Sequence, residues 1–393
     1  DGGDNDEPVQ TLVFATPARA WRLVSKLCPG SEDEDTADQE YWDVLAADEA
    51  SMLTLPNFLL AGSALAPGGQ VLVGGDHRQL PPVQKHDWPE EARRDIRATV
   101  PYLSALDYVR LLRGEDDVLE QERQDEWIHE HNATPDSTGI PFYRLSRTYR
   151  FGTVTADLAR QTVYRADGID YQSGRESAPC AVVDGDLPAP VSAVLSDAAV
   201  TLVTYNSDED YQQWNPIEAS LASRLVEARN KNSSAGVVTP HNAQRSRVTA
   251  LLESTYSDGE DAAGVTVETV NRFQGGEQDL MVVSATVSDS QYISKESDFL
   301  LSENRVNVSL TRHREKLVII DNESLLGYIP ADPALYDETL IWKEIARGSG
   351  EAPTDFAKPP VWNGKLSEML DGELPTSIGD DPTVRVYNYE PTR

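Results

Sequence analysis

Two apolar runs that stop abruptly on acids constrain this chain most. In "WDVLAADEAS" the run that begins at Trp42 ends at Asp48 and Glu49. In "VLVGGDHRQLPPV" the run from Val71 ends at Asp76, with His77, Arg78, Gln79, Pro81 and Pro82 behind it. Short continuous apolar runs of this kind suit strands buried on both faces, which are parallel strands with helices above and below. The neighbouring text agrees. "TLVFATP" reads as a strand, "ARAWRLVSKL" and "LPNFLLAGSAL" as helices, and "QVLVGGD" as the strand that reaches Asp76. In such sheets ligands bind over the carboxyl ends of strands, where loops gather polar groups above a rigid base. Position alone therefore makes Asp48, Glu49, Asp76 and Gln79 candidate site residues. A lone Asp-Glu pair equally serves as a helix cap or a solvated strand end. The second polar strand end beside it is what gives the site weight.

From about Tyr143 a second α/β unit begins. Its strand candidates are "VTLVTY", "GVVTP", "VTVETV", "LMVVSATV" and "KLVIID", with helices at "NPIEASLASRLVEAR", "HNAQRSRVTALLEST" and "SENRVNVSLTR". The acidic stretch "PGSEDEDTADQE" reads as a solvated loop. Residues 84–140 are polar and charged, with one amphipathic helix at "YLSALDYVRLL" and a loop at "NATPDSTG". Beyond about residue 330 the text turns rich in Pro, Gly and acids, with one helix at "ALYDETLIWKEIA". The expected organisation is a first lobe over 1–142, with 84–140 insertion-like, a second lobe over 143–330 and a C-terminal extension over 331–393.

The charge balance bears on partners. The 393 residues carry 66 acidic and 34 basic side chains, a formal net charge of −32. Such a surface repels nucleic acid and anionic membranes in dilute salt. In a salty cytoplasm, which this composition suits, the argument lapses, because the Debye length at ~1 M salt is about 3 Å. The acidity therefore excludes no anionic ligand. Cys28 and Cys180 have no CxxC spacing, which argues against zinc and against a disulfide framework. His129 and His131 in "WIHEHNATP" lack partner ligands and read as exposed loop histidines. No apolar run is long enough to span a membrane. The chain opens on "DGGDNDEPVQ" rather than Met and reads as a piece of a longer protein.

"DEAS" followed by "GDHRQLPPV" resembles motifs II and III of superfamily 1 nucleic-acid helicases. The branch is that of the nonsense-mediated-decay helicase and the Okazaki-fragment-processing helicase-nuclease. "FATPARA" resembles motif Ia, "LSRTYR" the Tyr-Arg motif opening the second lobe, and "VVTPHNAQRSRV" the Thr-Pro motif. "VETVNRFQGGEQDLMVVS" resembles motif V with its Gln-Gly-x-Glu extension, and "NRVNVSLTRHREKLVII" motif VI. The likeness spans roughly residues 11–321, and motifs in this order make coincidence a poor explanation.

The resemblance implies two RecA-like α/β lobes with parallel sheets flanked by helices, the first incomplete at its N-terminus. It implies ATP hydrolysis with Mg2+ between the lobes, driving movement along single-stranded DNA or RNA. Asp48 matches the magnesium-holding carboxylate, Glu49 the residue that activates the attacking water, and Gln79 the γ-phosphate sensor. Arg150 and Arg312 match two arginine fingers, Tyr149 the aromatic that stacks on adenine, and Gly275 and Glu277 positions near phosphates and ribose. Thr16, Thr239, Pro240 and Thr269 match positions along the single-strand track, with Arg245 a further candidate. This chemistry suits those residue types, because phosphoryl transfer is catalysed mainly by positioning and charge neutralisation, and Arg is a planar donor that stays protonated.

Three positions depart from the pattern. His241 stands where the family often has an aromatic, and Asn271 replaces a frequent Asp. No G-x-x-x-x-G-K-[ST] loop occurs anywhere, and "NGKLSE" lacks both its glycine spacing and its hydroxyl. In the family that loop precedes motif Ia, so this segment alone is expected to hydrolyse ATP scarcely at all. A fused or separate nuclease or partner domain upstream fits the same expectation. The alternative reading is a non-catalytic nucleic-acid- or partner-binding module derived from a helicase. A nucleotide hydrolase without nucleic acid ranks last.

Overall fold

The computed structural model describes residues 12–27, 42–83, 93–115, 118–131, 139–175, 182–183, 185–256, 264–273, 275–349, 358–372 and 374–391. Residues 1–142 and 143–393 form two compact units.

In the first unit, β1 (Trp42–Ala47) and β2 (Leu65–Val73) pair in parallel, with Ala47 opposite Val73. The helix Leu55–Gly62, with Pro56 in its first turn, connects them. The helix expected after Thr16 spans Pro17–Leu27. The strand expected at "TLVFATP" does not form over Leu12–Thr16, and Leu12 and Phe14 are 79% and 88% exposed. A strand exists through its ladder, and no described strand lies alongside this one. The pair β1–β2 is itself poorly covered, with Val44 57% and Leu72 64% exposed, although parallel strands are normally buried on both faces.

Farther along, the helices Arg94–Thr99, Ala105–Leu112 and Gln121–His131 surround a small core of Val100, Tyr102, Leu103, Leu111 and Trp127. Ser104 caps the second of these, its Oγ accepting from the Asp107 N–H at 2.9 Å. His129 and His131 lie in the last turn of the third helix rather than in a loop. The reason is Trp127. Its indole N–H donates to Ala98 O at 2.8 Å, and the His131 ring stacks on it at 4.2 Å, so this buried ring, with the buried Gln124, anchors an otherwise polar helix. The expected loop at "NATPDSTG" falls almost wholly outside the described residues, as do Cys28 and Cys180.

The second unit is built on a seven-stranded sheet. A short parallel pair, β3 (Arg147–Thr148) and β4 (Gln172–Ser173), precedes it. Its strands are β5 (Val200–Tyr205), β6 (Ala235–Thr239), β7 (Val265–Thr269), β8 (Gln278–Ser284), β9 (His313–Asp321), β10 (Trp362–Lys365) and β11 (Thr383–Asn388), in the order β10-β11-β5-β9-β8-β6-β7. The five strands β5 to β9 are parallel, whereas β11 runs antiparallel to both β5 and β10.

Every residue of β5 and β6 is buried, the threonines included, as expected for central parallel strands covered on both faces. The helix Pro216–Glu227 covers the sheet. Asn215 caps it, its Oδ1 accepting from the N–H groups of Ile217 (3.1 Å) and Glu218 (3.2 Å), and Pro216 presets the first turn. The helix Asn242–Thr255 packs beside it and contributes Val248 and Leu252 to the main core. The mostly parallel α/β architecture is the one the sequence implied. The acid-rich tail contributes more than a helix, because β10 and β11 extend the sheet beyond β5. Among the described residues no helix is long and apolar enough to cross a membrane.

Candidate functional site

In the first unit the two acidic strand ends lie side by side. Gly74 N donates to Ala47 O (2.8 Å) and Ala50 N to Gly74 O (2.9 Å), so hydrogen bonding continues past both strands and ties their turns together. Asp48 Oδ1 accepts from the Glu49 N–H at 2.9 Å, and Glu49 has a φ of 49°, a left-handed conformation uncommon for residues with side chains. On the neighbouring turn Asp76 accepts from the Arg78 N–H (2.9 Å) and from Gln79 Nε2 (3.2 Å). Gly75 permits this approach, since a Cβ there would stand 3.0 Å from the backbone nitrogens of both Ala50 and Ser51. Asp48, Glu49, Asp76 and Gln79 thus share the carboxyl end of one strand pair. Thr16 is exposed just before the helix Pro17–Leu27, and its carbonyl accepts from the N–H groups of Arg19 and Ala20.

In the second unit the expected residues form two groups at opposite ends of the sheet. Gln278 pairs with His313 where β8 and β9 begin, and Gln278 N donates to Arg312 O at 3.0 Å. This amino end carries the charged cluster. Arg150 Nε donates to Glu277 Oε2 at 2.7 Å, and its terminal nitrogen donates to Thr311 O at 3.1 Å. Arg314 Nε donates to the other oxygen of Glu277 at 2.9 Å. Hydrogen bonds from Arg314 and then Arg150 hold the Glu277 carboxyl below the usual carboxylate range. Gly275, with a φ of 83°, makes the turn into Glu277. Tyr149 is 70% exposed beside this cluster in sequence, whereas Arg312 is 1% exposed.

His313 explains part of that packing. Its Nε2 lies 2.9 Å from Thr155 Oγ1 and its Nδ1 lies 3.0 Å from Leu310 O, and its ring stacks on Phe151 at 5.4 Å. Burial, reinforced by the Arg150 and Arg175 charges, pushes its pKa down to about 3, so the ring is neutral. Thr155 belongs to the helix Thr153–Thr162, so His313 anchors the segment after Arg150 to the start of β9.

The opposite, carboxyl end carries Thr239 and Thr269, which are register partners at the ends of β6 and β7. The seven residues of β8 put about 20 Å between the two ends. Thr239 is fully buried, its hydroxyl 3.1 Å from that of Thr286, and Thr269 is nearly so. Pro240 is partly exposed after it, and Arg245 faces Glu268 at 3.5 Å.

A family described as an AAA domain matches residues 133–324. A DNA replication ATP-dependent helicase/nuclease of Arabidopsis thaliana is 25% identical over 322 residues, covering 79% of this chain and 21% of its own length. A DNA polymerase alpha-associated DNA helicase A of Saccharomyces cerevisiae is 35% identical over 317 residues, 74% of this chain and 40% of its own. A regulator of nonsense transcripts 1 of Dictyostelium discoideum is 28% identical over 177 residues, 42% of this chain and 13% of its own. These matches bear out the resemblance to the superfamily 1 helicases, in the branch these relatives represent. The chain spans well under half the length of each of them. The solved PRRSV helicase has a TM-score of 0.31 and 16% identity over 71% of this chain and 34% of its own.

Motif matching on this helicase pattern left out a buried polar network behind Thr239. Glu218, wholly buried, accepts from Thr286 N (2.7 Å), Ser284 Oγ (2.6 Å) and Tyr205 OH (3.0 Å). Gln244 Nε2 donates to Ser284 Oγ at 3.1 Å, and Asn215 Nδ2 donates to Thr286 O at 3.0 Å. Burial raises Glu218 to about 8 and its neighbour Asp321 to about 7. Thr286 itself has a φ of 71°, which this network holds in place. The one available signal was Glu218, a carboxylate inside the otherwise small and apolar helical text "PIEASLASRLVE".

Proposed function

We propose that this chain supplies most of the motor of an ATP-dependent helicase or translocase acting on single-stranded nucleic acid. The observation that carries the reading is the Arg150–Glu277–Arg314 cluster, with the Arg150 guanidinium fixed by a carboxylate and by Thr311 O one residue before Arg312. A guanidinium held by two acceptors stands ready for a transferring phosphoryl group, whose charge is spread over three oxygens. Within the first unit, Asp48 and Glu49 at the end of β1 supply one carboxylate suited to holding a metal and one suited to orienting water. Asp48 is the exposed oxygen donor that Mg2+ accepts alongside water and phosphate. A divalent ion held there would supply neutralisation of phosphate charge. Gln79 presents a neutral amide on the adjoining turn, suited to sensing a terminal phosphate without adding charge.

Bare apolar positions such as Val44 and Leu72 support the view that the first lobe is completed by polypeptide beyond these strands. A phosphate-binding loop on that polypeptide accounts for its absence from this sequence. The second reading is a non-catalytic clamp that holds nucleic acid or a partner. A clamp has no use for Glu49, Gln79 and a positioned Arg150.

The deciding experiment is ATP turnover by the full-length polypeptide with and without single-stranded DNA or RNA, in wild type and Glu49→Gln. The expected result is strand-stimulated hydrolysis that the substitution abolishes while nucleotide still binds. Normal hydrolysis by the Glu49→Gln protein would overturn the assignment.

A further inference from the structure

Beside the Thr239–Pro240 turn the second unit carries a set of rings that no role above uses. His241 begins the helix Asn242–Thr255, and its ring lies nearly parallel to Phe299 at 5.6 Å and edge-on to Tyr292 at 5.9 Å. The Arg305 guanidinium covers the Phe299 ring at 4.6 Å. Gln213 Nε2 donates to the Tyr292 hydroxyl at 3.3 Å, and the next residue, Trp214, leaves 46% of its surface to solvent. Arg247 from the same helix lies over the indole, 5.9 Å from its centroid.

This indole does not hang on a loose loop. Asn215 N donates to Gln244 Oε1 at 2.8 Å and Gln244 Nε2 donates to Asn215 O at 3.2 Å, both fully buried. The residue after Trp214 is therefore clamped to the first turn of the helix that carries Arg247. His241 and Arg247 are six positions apart, a rise of about 9 Å along that helix. That length matches two or three steps of a strand at ~3.4 Å each.

The charge around these rings says what they recognise. Asp289 accepts from Gln212 Nε2 at 2.7 Å, and the Glu296 charge acts on His241, so carboxylates accompany Arg247 and Arg305. A surface of mixed sign has little net pull on phosphates. What it offers is flat aromatic area backed by guanidinium, which fits the faces of nucleobases, and such stacking tolerates any sequence.

We propose that Trp214, backed by Arg247 and continued by Tyr292, is a stacking face for bases of a single strand as it passes the Thr239–Pro240 turn. This rests on the strand-binding part of the reading above. It adds a contact to the bases where that reading invokes hydroxyls and backbone.

The test is fluorescence anisotropy of this chain with labelled oligothymidylate and with an abasic strand of equal length, in wild type, Trp214→Ala and Trp214→Phe. Stacking is worth roughly 1–3 kcal/mol per base, so Trp214→Ala should weaken oligothymidylate binding by about 10-fold. Binding of the abasic strand should be unchanged, and Trp214→Phe should recover most of the loss. The 10-fold ratio should persist from about 0.1 to 1 M potassium chloride, because stacking is not screened as phosphate contacts are. If Trp214→Ala weakens both strands equally, or neither, stacking is overturned while strand binding stands. If wild type binds neither strand, the strand reading falls and this proposal falls with it.

Discussion

Arg150 and Glu277 stand 127 positions apart in the chain and meet at 2.7 Å, Nε to Oε2. The contact joins the Tyr-Arg motif to the Gln-Gly-x-Glu motif within the second unit. Glu277 also receives Arg314, so one carboxylate sets the direction of two guanidiniums.

If Arg150 serves a transferring phosphoryl group, its planar fork matters as much as its charge. Lysine keeps the charge but cannot reach Glu277 and Thr311 O together. Arg150→Lys in the full-length polypeptide should lower kcat by about 1,000-fold, the low end for arginine fingers, and change nucleotide affinity little. Single-turnover hydrolysis beside equilibrium nucleotide binding separates the two effects. A kcat within a few-fold of wild type would leave Arg150 a structural ion pair.

Gly75 lets the two acidic turns approach each other. A methyl group there would press on the backbone nitrogens of Ala50 and Ser51 at 3.0 Å and displace the turn that carries Glu49. Gly75→Ala should reduce strand-stimulated turnover by about 10-fold or more, since misplacement of about 1 Å can cost 100-fold. The melting temperature of the second unit should stay unchanged. Calorimetry and turnover on the same preparation check both parts.

Glu218 gives the second unit a pH-dependent stability. Its folded pKa, about 8, lies above the ordinary carboxylate value of 4.5, so the folded state retains a proton that the unfolded chain has lost. That stabilisation is fully present below about 4.5 and is lost as pH rises through about 8. Asp321, raised to about 7, acts in the same direction, and the Tyr205 hydroxyl facing Glu218 is pushed well above its usual range. The melting temperature should therefore fall between pH 5 and 9. Glu218→Gln, which cannot ionise, should flatten that fall by several degrees, at about 2–4 °C per kcal/mol for a unit of this size. Calorimetry at fixed ionic strength measures the slope.

The acidic strand ends were legible because an apolar run can end in only a few ways, and two such ends on neighbouring parallel strands define one place. The strands β5 to β9 were legible because each contains a short run of apolar or β-branched residues bounded by polar text. The rule that sites lie at carboxyl ends did not reach Arg150, Glu277 and Arg312, which gather where β8 and β9 begin. Only the motif resemblance pointed to them. The buried network around Glu218 was hidden because its other members come from β5, the end of β8 and the turn after it, and two helix starts, and each of those looks ordinary alone. The tail misled by composition. Alternation in "TVRVYN", with Val384 and Val386 buried, marks β11, but the acids and prolines around it drew the eye to loops. At His129 and His131 the polar text masked a helix anchored by the buried Trp127 and Gln124.

The place of β5 in the sheet has a consequence for how the protein is made. It is the first of the seven strands to leave the ribosome, and both its neighbours, β9 and β11, arrive more than a hundred residues later. Throughout that interval a strand whose every residue is destined for burial waits with both edges open, the condition under which nascent chains stick to one another. Synthesis of this unit therefore leaves a fully buried central strand exposed longest, and chaperone demand should track translation of residues 206–388.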